Sequence, residues 1–263
     1  MTSIVAWAAV DARAVASLYI ASDSRISTPD GAGWNQGRKV FACANRPHIF
    51  GYWGDVLFPA LAIPVLVDRL DHGLPADDQG AAPLDFEQAV RRLWKDYPAH
   101  WRADLGIIRG YRIGRGMDCR FMLEILTYEA RKDAWKTRAV PVPDHSSFLH
   151  VAGSGAKAVH ETHELWLAST SAGTSRAAFS TLCESLRRGT DPRSGGAPQL
   201  AGLYRIGAGK LFGVVVGNQR YFTGSHLPGD EVPAAVEWRN ELFERVDGAK
   251  RRRLPGAQHH AAR

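Results

Sequence analysis

Two hydrophobic periodicities alternate along this chain in blocks, and the order of the blocks leaves few architectures open. Ile4 to Val10 and Ser17 to Ser22 are apolar runs rich in β-branched residues, and they read as a hairpin around Asp11-Ala12-Arg13. Lys39 to Ala44 and His48 to Trp53 form a second strand pair about Asn45-Arg46-Pro47. A helical pattern follows, with Leu57, Leu61, Val65 and Leu70 expected on its apolar face. A second helix sets Phe86, Val90, Leu93, Trp94 and Tyr97 on one face behind Asp85. Strand-like runs come next: Ile107 to Ile113, Cys119 to Tyr128, Trp135 to Val142 and Phe148 to Ala152. Helical patterns then run from Gly153 to Ala168 and from Thr174 to Leu186, followed by strands at Leu200 to Ile206 and Lys210 to Val216. Glu237 to Val246 is predicted as a terminal helix. Strands and helices kept in separate runs argue for α+β layers and against a parallel βαβ sheet.

The chain has 263 residues, 45% of them hydrophobic, enough for the core of one large domain. No stretch of about 18 apolar residues is present, so no membrane helix is expected. The net charge of +6 is diffuse apart from Lys250-Arg251-Arg252-Arg253. Such a run is ordinarily a solvated end and does not by itself call for nucleic acid. Three widely spaced cysteines, Cys43, Cys119 and Cys183, suggest neither a disulfide framework nor a zinc site, and fit a reducing, cytoplasmic compartment. His160, Glu161, His163 and Glu164 spell H-E-x-H, not the H-E-x-x-H that sets two histidines one turn apart on a metal. They are expected on a solvated helix face, and no metal or cofactor is expected.

Several local signals fall in a telling order. Thr2 begins the first strand, and Ala21-Ser22-Asp23-Ser24-Arg25 ends the second. Gly37-Arg38-Lys39-Val40 opens the third, and Gly51-Tyr52-Trp53-Gly54-Asp55 leads into the first helix. Ala152-Gly153-Ser154-Gly155 and Asp191-Pro192-Arg193-Ser194-Gly195-Gly196 come later. From Thr2 to Phe222 this order resembles the proteasome β-subunit family and its bacterial ATP-dependent protease relatives, within the N-terminal-nucleophile hydrolases. The resemblance implies a four-layer αββα sandwich of two antiparallel sheets flanked by helices. It casts Thr2 as nucleophile, Asp23 and Lys39 as its charged partners, and Gly54 as the oxyanion-hole amide. Ser154, Asp191 and Ser194 match the outer polar shell, and Arg25 a structural arginine.

The residue chemistry agrees with those roles. A threonine hydroxyl needs an adjacent base, and a free α-amine of pKa about 7.7–8.0 supplies one. Thr is small, so removal of Met1 would expose that amine. A nearby charged Lys39 favours the developing alkoxide, Asp23 compensates Lys39, and in an alternative assignment Lys39 is itself the base. Tyr52, Trp53 and Asp55 are bulkier and more acidic than the family's turn, which puts substrate preference in question. The implied function is a threonine-type peptidase acting on peptides or unfolded proteins through an acyl-enzyme, in a homo-oligomeric ring served by an ATPase or other regulator. A small-molecule amidase and a catalytically silent scaffold subunit remain open as alternatives. Residues 2–222 are assigned to this domain, and 223–263 to an extension, a helix followed by a disordered basic tail.

Overall fold

The computed structural model describes residues 2–28, 30–74, 85–229, 232 and 235–259. Strands β1 (Ile4–Val10) and β2 (Val15–Ser22) form the first hairpin, followed by the short β3 (Ile26–Ser27) and β4 (Gly33–Trp34). Strands β5 (Val40–Ala42) and β6 (His48–Gly54) precede helices α1 (Leu57–Asp71) and α2 (Phe86–Lys95). Then come β7 (Leu105–Ile113), β8 (Arg120–Glu129), β9 (Ala134–Val140) and β10 (Ser147–Ala152), and helices α3 (Ala156–Leu167) and α4 (Ser175–Arg188). The chain closes with β11 (Gln199–Tyr204), β12 (Lys210–Val216), β13 (Gln219–Phe222), β14 (Ser225–His226), β15 (Trp238–Asn240) and β16 (Arg245–Val246).

One sheet runs β10-β1-β2-β11-β12-β13-β14, with β15 and β16 branching from β12; a second runs β5-β6-β7-β8-β9. Pairing is antiparallel throughout, except that β15 lies parallel to β12. The molecule is therefore mixed α+β. Alternation along β1 shows how the sheets are used: Ile4 and Ala6 face one core, Val5 and Trp7 another. The first core fills the space between the sheets, with Leu18, Ile20, Ile49, Ile108, Leu123 and Ala201. The second joins β1, β2, β11 and β12 to α3 and α4 through Tyr19, Phe179, Leu182 and Phe212. A third joins β5–β8 to α1 and α2 through Phe50, Tyr52, Phe58, Ile63 and Trp94.

The helices begin where local chemistry directs. Asp85 accepts from Gln88 N at 3.1 Å and Thr174 from Ala177 N at 3.2 Å, each satisfying an otherwise orphaned helical donor. Three expectations need correction. First, α1 buries Phe58, Ala62, Ile63 and Leu66, while Leu57, Leu61 and Val65 are exposed. LFPALAIPVLV is apolar on every side, so its periodicity encodes no single face.

Second, the terminal helix expected over Glu237 to Val246 is β15, a turn and β16. β11 leaves β12 after Leu200 meets Phe212, and β15 takes up the vacated pairing beside Gly213 to Val215. A side chain at Gly213 would collide with the Trp238 ring, so glycine there admits the indole. Sheet completion outweighs the weak helical preference of the segment. Third, the described part of the tail is folded: Arg251 N donates to Asp247 O at 2.7 Å and Leu254 N to Arg245 O at 3.0 Å. The segment after Phe222 also joins the main body, because Ser180 Oγ donates to Glu241 O and Phe243 packs on Trp7 and Tyr19.

Candidate active site

Strand register gathers the site. Ile4 pairs with Ser22 on one side and Ala152 on the other, which sets Thr2 and Ser3 between Asp23 and the Gly153–Gly155 turn. Gln199 pairs with Ser22 and brings the loop from Asp191 to the same place. Lys39 arrives from the facing sheet, one residue before β5. Thr2, Ser3, Asp23 and Lys39 are all buried to 1% exposure or less.

Asp23 is the hub. Its Oδ1 accepts from Ser3 N at 3.0 Å and from Lys39 Nζ at 2.8 Å. Its Oδ2 accepts from Arg25 N at 3.1 Å and Gly195 N at 3.0 Å. Taking two opposite charges out of water costs several kcal/mol each, and only a fully hydrogen-bonded pair recovers the loss. Burial pushes the Lys39 ammonium below the usual lysine range, and the Asp23 carboxylate pulls back against that.

A second network lies on the other side of Thr2. Thr2 N donates to Ser154 Oγ at 3.3 Å, and Ser154 Oγ donates to Asp191 Oδ2 at 2.8 Å. Ser194 Oγ donates to the same carboxylate oxygen at 2.7 Å and accepts from Ser3 Oγ at 2.8 Å. Burial works against ionisation of Asp191, but hydrogen bonds from Ser194, Ser154 and Arg193 N outweigh it and hold the carboxyl below its usual range. Two glycines make room for this packing. Gly153, at φ 89°, lies so close to Thr2 O that a Cβ would overlap it, and a Cβ on Gly155 would fall on Ser3 Oγ.

Gly54 ends β6 with φ 83°. A Cβ on Gly110, the partner of Ile49, would press on Leu18, and one on Gly51 would press on Ile4 and Ile20. β6 thus crosses the hairpin toward the start of β1, with Gly51 over Ile4 and Gly54 three residues further on. Its described neighbours are Asp104 and Leu105 on β7's side. Arg25 joins Asp23 through its backbone N–H, while its guanidinium fastens the Asp191 loop: Nε donates to Asn35 Oδ1 at 2.8 Å and Nη1 to Pro192 O at 2.9 Å.

Two of the bulky turn residues have structural places. Tyr52 is fully buried in the α1/α2 core, with Oη donating to Arg38 O at 3.0 Å, and Asp55 accepts from Phe58 N at the start of α1. His160, Glu161 and Glu164 are exposed on α3, and His163 rests against Phe148.

Two participants escaped the sequence reading. Ser3 supplies both a backbone donor to Asp23 and a hydroxyl donor to Ser194. Gln199 bridges the sheets: Nε2 donates to Asp23 O at 3.0 Å and Gly37 O at 2.7 Å, and Oε1 accepts from Lys39 N at 3.0 Å. A polar residue opening an otherwise apolar strand, just after Gly195-Gly196, was the available signal for Gln199.

No family model matches the sequence, and no curated protein matches it. Among solved structures, the chain is similar to the Gly-1 mutant of Anbu from Hyphomicrobium sp. strain MC1. The identity is 14%, over 80% of this chain and 86% of that chain, with a TM-score of 0.49. It is also similar to eukaryotic HslV from Trypanosoma brucei, at 11% identity over 76% of this chain and 99% of that chain, with a TM-score of 0.47.

Proposed function

We propose that this chain is a threonine-type peptidase of the N-terminal-nucleophile kind, with Thr2 as nucleophile once Met1 is removed. The observation that carries the reading is the fully buried Lys39–Asp23 pair, tied to the first strand through the Asp23 oxygen that also holds Ser3 N. A buried lysine held by a carboxylate, one residue from a candidate hydroxyl nucleophile, is costly for stability alone and suited to catalysis. The three cores support the four-layer αββα arrangement for this fold, with the site at one end between the sheets.

In this mechanism the free α-amine of Thr2 takes the Oγ proton as Oγ attacks the substrate carbonyl carbon. The Lys39 ammonium favours the developing alkoxide, and Asp23 fixes the lysine. The oxyanion of the tetrahedral intermediate is received by the Gly54 amide, a contribution typically worth about 10²–10³ in rate. The α-ammonium then returns its proton to the departing amine, leaving an ester on Thr2. Water, deprotonated by the same amine, cleaves that ester and restores the hydroxyl. Ser154 accepts the amine's hydrogen bond, and the ionised Asp191 behind it favours the protonated amine of the intermediate. Ser194 and Ser3 hold Asp191 in place.

Peptides or unfolded chains are the proposed substrates, and a cytoplasmic homo-oligomeric ring with an ATPase or other regulator is the proposed setting. Intact-mass spectrometry before and after a peptide epoxyketone tests the nucleophile, because that reagent bridges a hydroxyl and a free amine on one residue. Loss of Met1 and an adduct mapped to Thr2 are expected. A free Thr2 that never reacts overturns the assignment. Thr2→Ala should abolish peptide turnover while the protein still folds, at a cost on the order of 1 kcal/mol in urea unfolding for the buried hydroxyl and methyl it removes.

A further inference from the structure

The far end of the sandwich holds a cavity of about 530 Å³, bounded by the start of β2, the turn into β8, the end of β9 and Arg205 after β11. That volume falls within the range of small-molecule sites. Val15 and Ser22 are seven residues apart on β2, so the cavity lies ~23 Å from the Thr2 end by strand rise. It is separate from the site described above. Val15, Phe121, Met122, Val140 and Val142 make its walls apolar, and Cys119 opens onto it.

The charge around this cavity is one-sided. Arg205 lines it, but its guanidinium is matched to Asp11, at 2.7 Å and 2.8 Å. Arg120 also lines it and is exposed. Arg112, opposite Phe121 in the β7–β8 register, is 9% exposed and donates to the carbonyls of Gly114 and Tyr204. Among the described residues neither Arg112 nor Arg120 pairs with a carboxylate. An apolar cavity whose lining includes an exposed guanidinium with no carboxylate partner among the described residues matches a ligand that is mostly apolar and anionic at one end. Such a ligand leaves no polar group stranded among the valines and gives Arg120 a partner.

We propose that this cavity binds a medium-chain aliphatic carboxylate, with its tail between the two sheets and its carboxylate at Arg120.

Cys119 reports on occupancy. It is partly exposed, whereas Cys43 and Cys183 are buried and serve as internal controls. The full-length protein is treated with N-ethylmaleimide, and labelling of each cysteine is followed by peptide mass spectrometry. The ligands are decanoate below its micellar concentration, decanol, and decyltrimethylammonium. Decanoate at about ten times its Kd should slow Cys119 labelling about tenfold. Arg120→Glu should weaken decanoate binding about fivefold or more, the scale of an exposed ion pair, and leave decanol unchanged. Ala139→Trp, which fills the mouth from an exposed position, should remove protection relative to that variant's own unliganded rate. Absence of protection overturns the proposal. So does equal protection by decanol and decanoate, which marks an adventitious additive only, or protection that survives Ala139→Trp in a variant with parental thermal stability.

Discussion

Asp11 and Asp23 stand at opposite ends of the β1–β2 hairpin, and each meets a cation from a distant part of the chain. Asp11 takes Arg205 in a two-pronged contact at the surface, where the aspartate side chain is 37% exposed. Asp23 takes Lys39 where both side chains are 0% exposed. At the first end the Arg205 guanidinium, helped by the backbone N–H of Arg13, holds the Asp11 carboxyl far below its usual range. Water already stabilised that charge, so the pair adds little to folding. At the second end burial dominates and pushes the lysine down. A pair of opposite charges thus forms a solvated clasp in one place, and in the other a buried contact whose cation burial makes harder to keep charged.

Lys39→Ala breaks the contrast most severely. It leaves Asp23 charged, buried and without its cation, and should cost about 3–5 kcal/mol in urea unfolding together with all turnover. A loss below 1 kcal/mol would make the two ends equivalent. Gln199→Leu keeps the pair but strands Asp23 O, Gly37 O and Lys39 N, at about 1–3 kcal/mol for the first group and less for those that relax. The expected total of roughly 3 kcal/mol would show as a lower urea midpoint.

The acid dependence sharpens the comparison. His48 lies at the other end of β6 from Gly54. Burial, helped by Arg109 and Arg46, lowers its pKa to about 3, and burial with Arg138 nearby lowers that of His150 to about 4. Unfolded histidine titrates near ~6.5, so below that value the unfolded chain binds more protons than the folded one. Stability should therefore fall as pH drops from ~6.5 toward those values, by at most ~1.4 kcal/mol per pH unit for each histidine. Urea midpoints at pH 7, 6 and 5 measure the slope, and His48→Asn should flatten it. Smallest of all, Asp11→Ala should lower the urea midpoint only slightly, an effect that shrinks further in high salt.

How far the sequence carried these conclusions depended on how local each signal was. β1 is found where its apolar run lies, and α2 and α4 start behind the residues that cap them, because pattern and cap are neighbours in sequence. β2 starts at Val15, ahead of the expected Ser17, because Asp11 Oδ1 accepts from Arg13 N and Ala14 N and closes the turn early. Asp23, Lys39, Ser154, Asp191 and Ser194 were read as an ordered set of short motifs, and their hydrogen bonds form two groups, Asp23 with Lys39 and Asp191 with Ser154 and Ser194, linked by Ser3. Ser3 and Gln199 were not, since their roles depend on partners more than 150 residues away. The α1 face and the β15–β16 segment were misread for the same reason: tertiary pairing, not local periodicity, decides both.

Fully buried Thr2 also imposes an order of events. The first residues of a chain emerge from the ribosome long before Ser154, Asp191 and Gln199 exist. At roughly 5–20 residues per second, the interval before Gln199 is made is on the order of 10–40 s. For most of that time β1 has its hairpin partner β2 but neither β10 on its other side nor β11 behind β2, and its end is open to a trimming enzyme. Once the sheet closes, Thr2 is fully buried. Under the proposed function, whatever frees the Thr2 amine therefore works most easily before the sheet closes, and a chain that closes first would be a well-folded protein that never turns over.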